Sequence, residues 1–250
     1  MRITAAGILL IGILVAGIFE PSVLYQNSTI IGRHTIYHSR PLDAAFVLRF
    51  HEAEELITAS QFYDSTVSIR LCLNDGSVYP KLNRFIRGEA FAWGFANTVV
   101  LSGTADFQNN FVTLNDRRWN AVELIAHEMM HCVQFGKLGI MKSNPVANYP
   151  EWKWEGYPEY ISRKERTEGL ITDINRLISV EKTVHNDWIQ FEDSTGTVIP
   201  YYRAWLLLQY CMDVKKMHYP ELLVDTTSEA TLYQEMLQWQ ADHVVDTTFQ

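Results

Sequence analysis

The chain has 250 residues, 47% of them hydrophobic and 12% aromatic, enough for one domain with a packed core or two small ones. With 20% charged residues, 13 Gly and 8 Pro, it is not disordered, collagenous or of low complexity. The formal net charge of −8 comes from 29 acids against 21 bases with no dense Lys/Arg run, so no nucleic-acid partner is expected.

Residues 3–19 (ITAAGILLIGILVAGIF) are an uncharged apolar run preceded only by Met1 and Arg2. The run is long for the core of a signal peptide and short for a membrane span. Residues 1–19 are therefore expected to be a signal peptide or a membrane anchor. Arg2 favours a cytoplasmic start and a body outside the cytoplasm, either anchored by that N-terminal helix or secreted. Residues 20–40, with Pro21 and mixed polar side chains, read as a tether, which leaves 41–250 as a single folded domain.

Within that domain, Leu42 to Phe62 carries apolar residues at helical spacing, and Thr66 to Leu73 alternates as a strand closed by Asn74-Asp75-Gly76. A helix is expected over 78–87, and one or two strands over 90–102. Further helices follow over 120–135, 151–166, 170–183, 201–217 and 229–243. Strands before residue 120 and helices after it predict an α+β fold. Cys72, Cys132 and Cys211 lie too far apart in sequence for a thiolate metal site. A Cys72–Cys211 bridge would need an oxidising compartment, and three buried thiols is the simpler expectation.

The chemistry-bearing segment is His127-Glu128-Met129-Met130-His131, an HExxH within the 120–135 helix. Residues four apart lie one above the other on a helix, so both rings can present a nitrogen to one ion. Glu128 is turned about 100° away, beside the metal, where a water-activating base belongs. A chain of this composition would hold about 0.02 such matches by chance. Two imidazoles suit zinc, given one further ligand and a position left for water. Glu155, twenty-four residues beyond His131 at the start of the next expected helix, is the candidate third ligand. Glu159 sits one turn further on the same face, placed to accept the outward N–H of a ligating histidine. Pro158 implies that this helix starts near Glu155 or bends there, which leaves Glu159, and then Glu151, as alternative ligands. His34, His38, His51, His185, His218 and His243 lack ligand-like neighbours and read as surface or internally satisfied residues.

At these residues the sequence resembles the gluzincin class of zinc metallopeptidases, specifically the peptidase MA-like group. That group has HExxH followed by P-x-W-x-x-E-G-x-A-E-Y, matched here by Pro150, Trp152, Glu155, Gly156, Glu159 and Tyr160, with Pro158 in place of a small residue. The run from His127 to Gln134 is similar to the group's HE-L-T-H-x-x-Q, with Met130 for threonine, and Tyr201-Tyr202-Arg203-Ala204-Trp205 to its Tyr-x-x-Ala-Trp. The resemblance implies a zincin-like α+β fold, a small mixed or antiparallel sheet followed by a mainly helical part with the HExxH helix between. It also implies one Zn2+ held by His127, His131 and Glu155, with Glu128 as general base. Tyr201, and next Tyr202, is the implied donor to the reacting carbonyl. The segment Ala92-Trp93-Gly94 would be the edge strand that holds an extended peptide, with Trp93 and Phe95 lining pockets. A peptide or protein substrate follows, and a membrane contact through residues 1–19 if they are retained. A non-catalytic binding module of the same fold, and a zinc hydrolase of non-peptide amides or esters, are the alternatives.

Overall fold

The computed structural model describes residues 20–182 and 187–247, with Gly7 and Gly12, and the side chains of that body as far as residue 244. The rest of the apolar run, His185 and the end of the chain lie outside the described residues. The described chain is a mixed α+β structure.

The first element is a hairpin, β1 (Asn27–Ile31) and β2 (His34–His38), turned at Gly32-Arg33 and paired from Asn27↔His38 to Ile31↔His34. It corrects the expected 20–40 tether. The tether reading failed because β1 (NSTII) lies mostly exposed at the sheet border, and β2 buries two histidines where a core strand normally places aliphatics. His34 is fully buried yet satisfied. Its Nδ1 accepts the Ile69 N–H at 3.1 Å, and its Nε2 donates to Glu54 Oε1 at 3.2 Å. Burial lowers its pKa, so it stays neutral.

Helix α1 (Ala44–Ile57), capped by the Asp43 carboxylate on the Ala45 N–H, then leads to β3 (Arg70–Cys72). The expected 66–73 strand is shorter than its alternation suggests: Ile69 and Leu73 still bond to β2 at its ends, while Asp64 draws Thr66 into a turn through its N–H and hydroxyl. Helix α2 (Tyr79–Arg87) precedes β4 (Ala92–Phe95) and β5 (Thr98–Leu101). The five strands run in the order β1-β2-β3-β5-β4, with β2, β3 and β5 parallel and β4 an antiparallel edge.

Alternation across the strands gives the sheet two covered faces. Ile36, Leu71 and Val99 face inward onto Phe46, Phe50, Ala53 and Ile57 of α1. Cys72 and Val100, with Tyr37 and Trp93, face outward onto Tyr25 and Tyr79. A second, antiparallel sheet follows, β6 (Thr104–Asp106), β7 (Phe111–Leu114) and β8 (Arg117–Asn120). No strand is expected there from the sequence pattern. Asn115 and Asp116 both adopt positive φ, 49° and 62°, the left-handed pair that closes a tight hairpin.

Helix α3 (Ala121–Leu138) is the central element, with Asn120 accepting the Glu123 N–H as its cap. The expected 151–166 helix is two pieces, α4 (Glu151–Trp154) and α5 (Gly156–Ser162), followed by α6 (Leu170–Lys182). A small hairpin, β9 (Trp188–Gln190) and β10 (Gly196–Val198), interrupts the mainly helical second half. Helix α7 (Ile199–Gln209) continues through a π-turn to Val214. Then come α8 (Tyr219–Val224) and α9 (Glu229–Thr247). Among the described residues no helix is long and apolar enough to cross a membrane.

All three cysteines are free and buried. Burial raises each thiol pKa, that of Cys211 to about 11. A thiol-exchange reagent at pH 8 should therefore react with none of them in the folded chain and with all three after denaturation. Rapid reaction of one thiol in native protein would contradict this packing.

Candidate metal centre

Helix α3 is buried without a break from Ala121 to Phe135, so its polar residues sit inside the fold and need partners. His127 Nε2 and His131 Nε2 lie 3.2 Å apart, one helical turn from each other. Glu155 Oε2 lies 3.3 Å from the first and 3.2 Å from the second. Three donor atoms thus form a nearly equilateral triangle. A tetrahedral zinc with bonds of about 2.0–2.1 Å separates its ligand atoms by about 3.3–3.4 Å, so the triangle has the size of one tetrahedral face. No other trio of His, Cys, Asp or Glu among the described residues converges in this way.

Proline sets the reach of Glu155. Pro158 has no N–H to offer the Trp154 carbonyl four residues back, and the assigned helix divides at Glu155. The freed carbonyl accepts instead from Gln134 Nε2 at 3.1 Å. Gln134 in turn presents Oε1 to His131 Nδ1 at 2.9 Å, which fixes that ring with Nε2 turned to the triangle. Close packing does the rest. A Cβ on Gly156 would lie 2.6 Å from Leu208 Cδ2 and 2.9 Å from the Ala204 carbonyl oxygen, so α5 can approach α7 only with glycine there.

The other ring is oriented by Glu159. His127 Nδ1 lies 2.9 Å from Glu159 Oε1, out of line for a full hydrogen bond, and neither atom has another partner. Glu159 Oε2 takes the Arg163 Nε, and Arg163 Nη1 donates to Glu123 Oε2 at 2.6 Å. Glu123 also binds Arg166, whose Nη2 reaches Asp193 Oδ2 at 2.8 Å. A relay of alternating charge therefore runs from the metal triangle to the surface. Burial opposes a charge on His127, but Glu155 and Glu159 outweigh it and push its pKa up to about 10. Against the same cost of burial, the two histidines hold Glu155 well below the usual carboxylate range. Three ligand atoms that jointly stabilise one positive charge suit a cation.

Glu128 is 7% exposed, and burial raises its pKa against the pull of both histidines. Strand β4 lies directly over it. A Cβ on Gly94 would collide with the Glu128 carbonyl oxygen and come within 3.0 Å of Glu128 Oε2 and His131 Cβ. Ala92 and Gly94 line the cleft. The Trp93 ring packs on the opposite face with the outer cluster, and Phe95 sits against Phe135 at 4.8 Å. Two cavities of about 330 and 570 Å³ meet at Ala92, His127, Glu128 and Tyr201. The larger is walled by Phe91, Trp119, Leu124, Trp188 and Val198. A further cavity of about 600 Å³, lined by Glu52, Glu55 and Glu165, adjoins the outer end of the charge relay and holds no histidine.

The Tyr201 ring stacks on His127 at 5.8 Å, and burial together with Glu155 and Glu128 keeps its hydroxyl protonated well beyond the ordinary tyrosine range. Tyr202 points elsewhere, its hydroxyl 3.3 Å from the carbonyl oxygen and Oδ1 of Asp173, so the second candidate donor is removed. Glu159 sits behind His127 and Glu151 is exposed, so neither alternative ligand joins the triangle. Glu123, Arg163 and Arg166 do not stand out in the sequence. Glu159 and Arg163, four apart, were the available signal. A comparison of the chain with protein-family models, curated proteins and solved structures returns no match.

Replacing Glu159 with Gln keeps its shape and removes the charge behind His127. Zinc affinity, measured by competition with a chelating dye, should fall by about 10–100-fold while the fold survives. Unchanged affinity would show that the carboxylate does not support the ligand.

Proposed function

We propose that the protein is a zinc-dependent peptidase with a zincin-like fold, acting outside the cytoplasm on peptide or protein substrates. The observation that carries this reading is the ligand triangle of His127, His131 and Glu155 with the Glu128 carboxylate beside it and an open strand edge above. Bound there, zinc would supply Lewis acidity toward a carbonyl and make water a better nucleophile near neutral pH. The residues divide the remaining work. Glu128, the next residue along the helix from His127 and largely buried at the meeting of the two cavities, takes a proton from the attacking water and returns it to the leaving nitrogen. Its raised pKa suits a group that must both gain and release that proton. Tyr201, protonated and lining both cavities, donates its O–H to the carbonyl oxygen as negative charge develops there.

Strand β4 supports a polypeptide substrate. Its inner edge pairs with β5 and its outer edge has no strand neighbour among the described residues, so an extended chain can add to the sheet through main-chain hydrogen bonds. The aromatic cavity beside Tyr201 would take a large apolar side chain next to the scissile bond. These features favour a peptide over a small amide or ester. The intact Glu128 favours catalysis over a binding role.

With zinc content and peptide-library hydrolysis measured on the same preparations, Glu128→Gln should keep its zinc and lose about 10²–10⁴-fold in rate. Tyr201→Phe should lower kcat by about 10²-fold with KM little changed. Full activity in Glu128→Gln would contradict the mechanism. Zinc without hydrolysis of any peptide would move the protein to the binding-module or non-peptide alternatives.

A further inference from the structure

The outer face of the main sheet is covered by a thin layer made of the turn at 21–25 and helix α2. These pieces are fixed to each other. Ser77 Oγ donates to the Leu24 carbonyl at 2.9 Å, and the Tyr25 and Tyr79 rings lie 5.8 Å apart. Helix α2 buries Tyr79, Pro80 and Asn83 against the sheet. Its exposed side carries the cations Lys81, Arg84 and Arg87 beside an apolar stripe. Val78, Leu82, Phe85 and Ile86 follow at helical spacing, and Val78, Phe85 and Ile86 are 56%, 87% and 52% exposed.

Other apolar groups extend the patch. Val23 is 57% exposed in the adjoining turn. Ile30, 76% exposed, pairs with Thr35, two residues from Tyr37, and so shares the outer face. Five of the ten large hydrophobics exposed among the described residues thus belong to this one layer.

The charge of the helix runs against that of the chain. In a protein of net charge −8, residues 79–87 carry Lys81, Arg84 and Arg87 and no acid. The acids nearby are Glu20, ion-paired with Arg70 at 3.1 Å, Glu89, 3.8 Å from Arg84, Asp75, which accepts the Ser39 and Arg40 N–H groups, and Asp116, which shares a surface cavity with Lys81 and Arg84. Exposed aromatic and aliphatic side chains flanked by cations on a short helix are the chemistry of a lipid-water interface with anionic headgroups. The sequence points the same way, since the apolar run 3–19 leads directly into Glu20, at the edge of this layer.

We propose that the outer face of α2, with Val23 and Ile30, docks on a lipid surface bearing anionic headgroups. Phe85 and Ile86 enter the interface, and Lys81 and Arg84 meet the headgroups. Arg87, at the end of the helix, also lines the smaller cavity of the metal cleft. Docking would therefore set that cleft beside the membrane, facing polypeptide close to the lipid surface.

The test uses the full chain with vesicles of phosphatidylcholine, with or without phosphatidylglycerol. The native cysteines are buried, so Phe85→Cys accepts an environment-sensitive nitrobenzoxadiazole dye selectively. Leu48→Cys, 54% exposed on α1 across the sheet, is the control. With anionic vesicles the dye at 85 should shift to the blue and lose most of its emission to a lipid-borne quencher, and the dye at 48 should do neither. Lys81→Glu with Arg84→Glu, or high salt, should restore most of that emission. Equal quenching at both positions, equal quenching in neutral vesicles, or failure to float with vesicles would overturn the proposal. A blue shift that lipid quenchers do not touch would assign the face to contact with a second copy of this chain and overturn it as well.

Discussion

A histidine that is to ligate a metal through one nitrogen is usually supported at its other, and here the support behind the two candidate ligand histidines reaches across the fold. His127 is backed by Glu159, a carboxylate with no exposure to water. A buried carboxylate survives only if it is neutralised, and Arg163, equally buried, does this one helical turn away. Arg163 then needs Glu123, and Glu123 needs Arg166, until the relay reaches partly exposed Asp193. Removing one member of such a chain leaves an unpaired buried charge at a cost of about 3–5 kcal/mol, so the metal triangle and the packing of α3 against α5 stand together.

The second constraint is distance between backbones. Gly94 lets the edge strand lie on the HExxH turn, and Gly156 lets α5 lie on α7. The first approach brings an open strand edge over Glu128, and the second brings Glu155 and Tyr201 to the same metal face. Pro158 contributes by an omission. The hydrogen bond it cannot make frees the Trp154 carbonyl for Gln134, which holds the second histidine. A residue that disrupts a helix locally thereby orders the site.

Helix α3 and its ligands are legible in the sequence because their chemistry depends on spacing within one helix. The same holds for Glu155 and Glu159, which share a short segment. What the sequence does not reveal depends on tertiary contact. Hairpin β1–β2 hides because histidines flank Ile36 on its inward side, His34 satisfied by Glu54 and Ile69, distant in the chain, and His38 by Thr29 and the Arg40 carbonyl. Sheet β6–β8 hides behind polar, asparagine-rich hairpins. Arg163 reads as an ordinary surface residue until Glu123, forty positions earlier, is seen against it. The choice between Tyr201 and Tyr202 is likewise a matter of which side of α7 faces the His127–His131–Glu155 triangle.

The central claim is that this fold holds one tetrahedral zinc by two imidazoles and one carboxylate. X-ray absorption at the zinc edge, on the purified full chain, tests it most directly. The expected result is about one zinc per chain with four nitrogen or oxygen ligands near about 2.0 Å, two of them imidazole, and no sulfur. A folded chain that takes up no zinc, or a zinc–sulfur distance of about 2.3 Å, would contradict it.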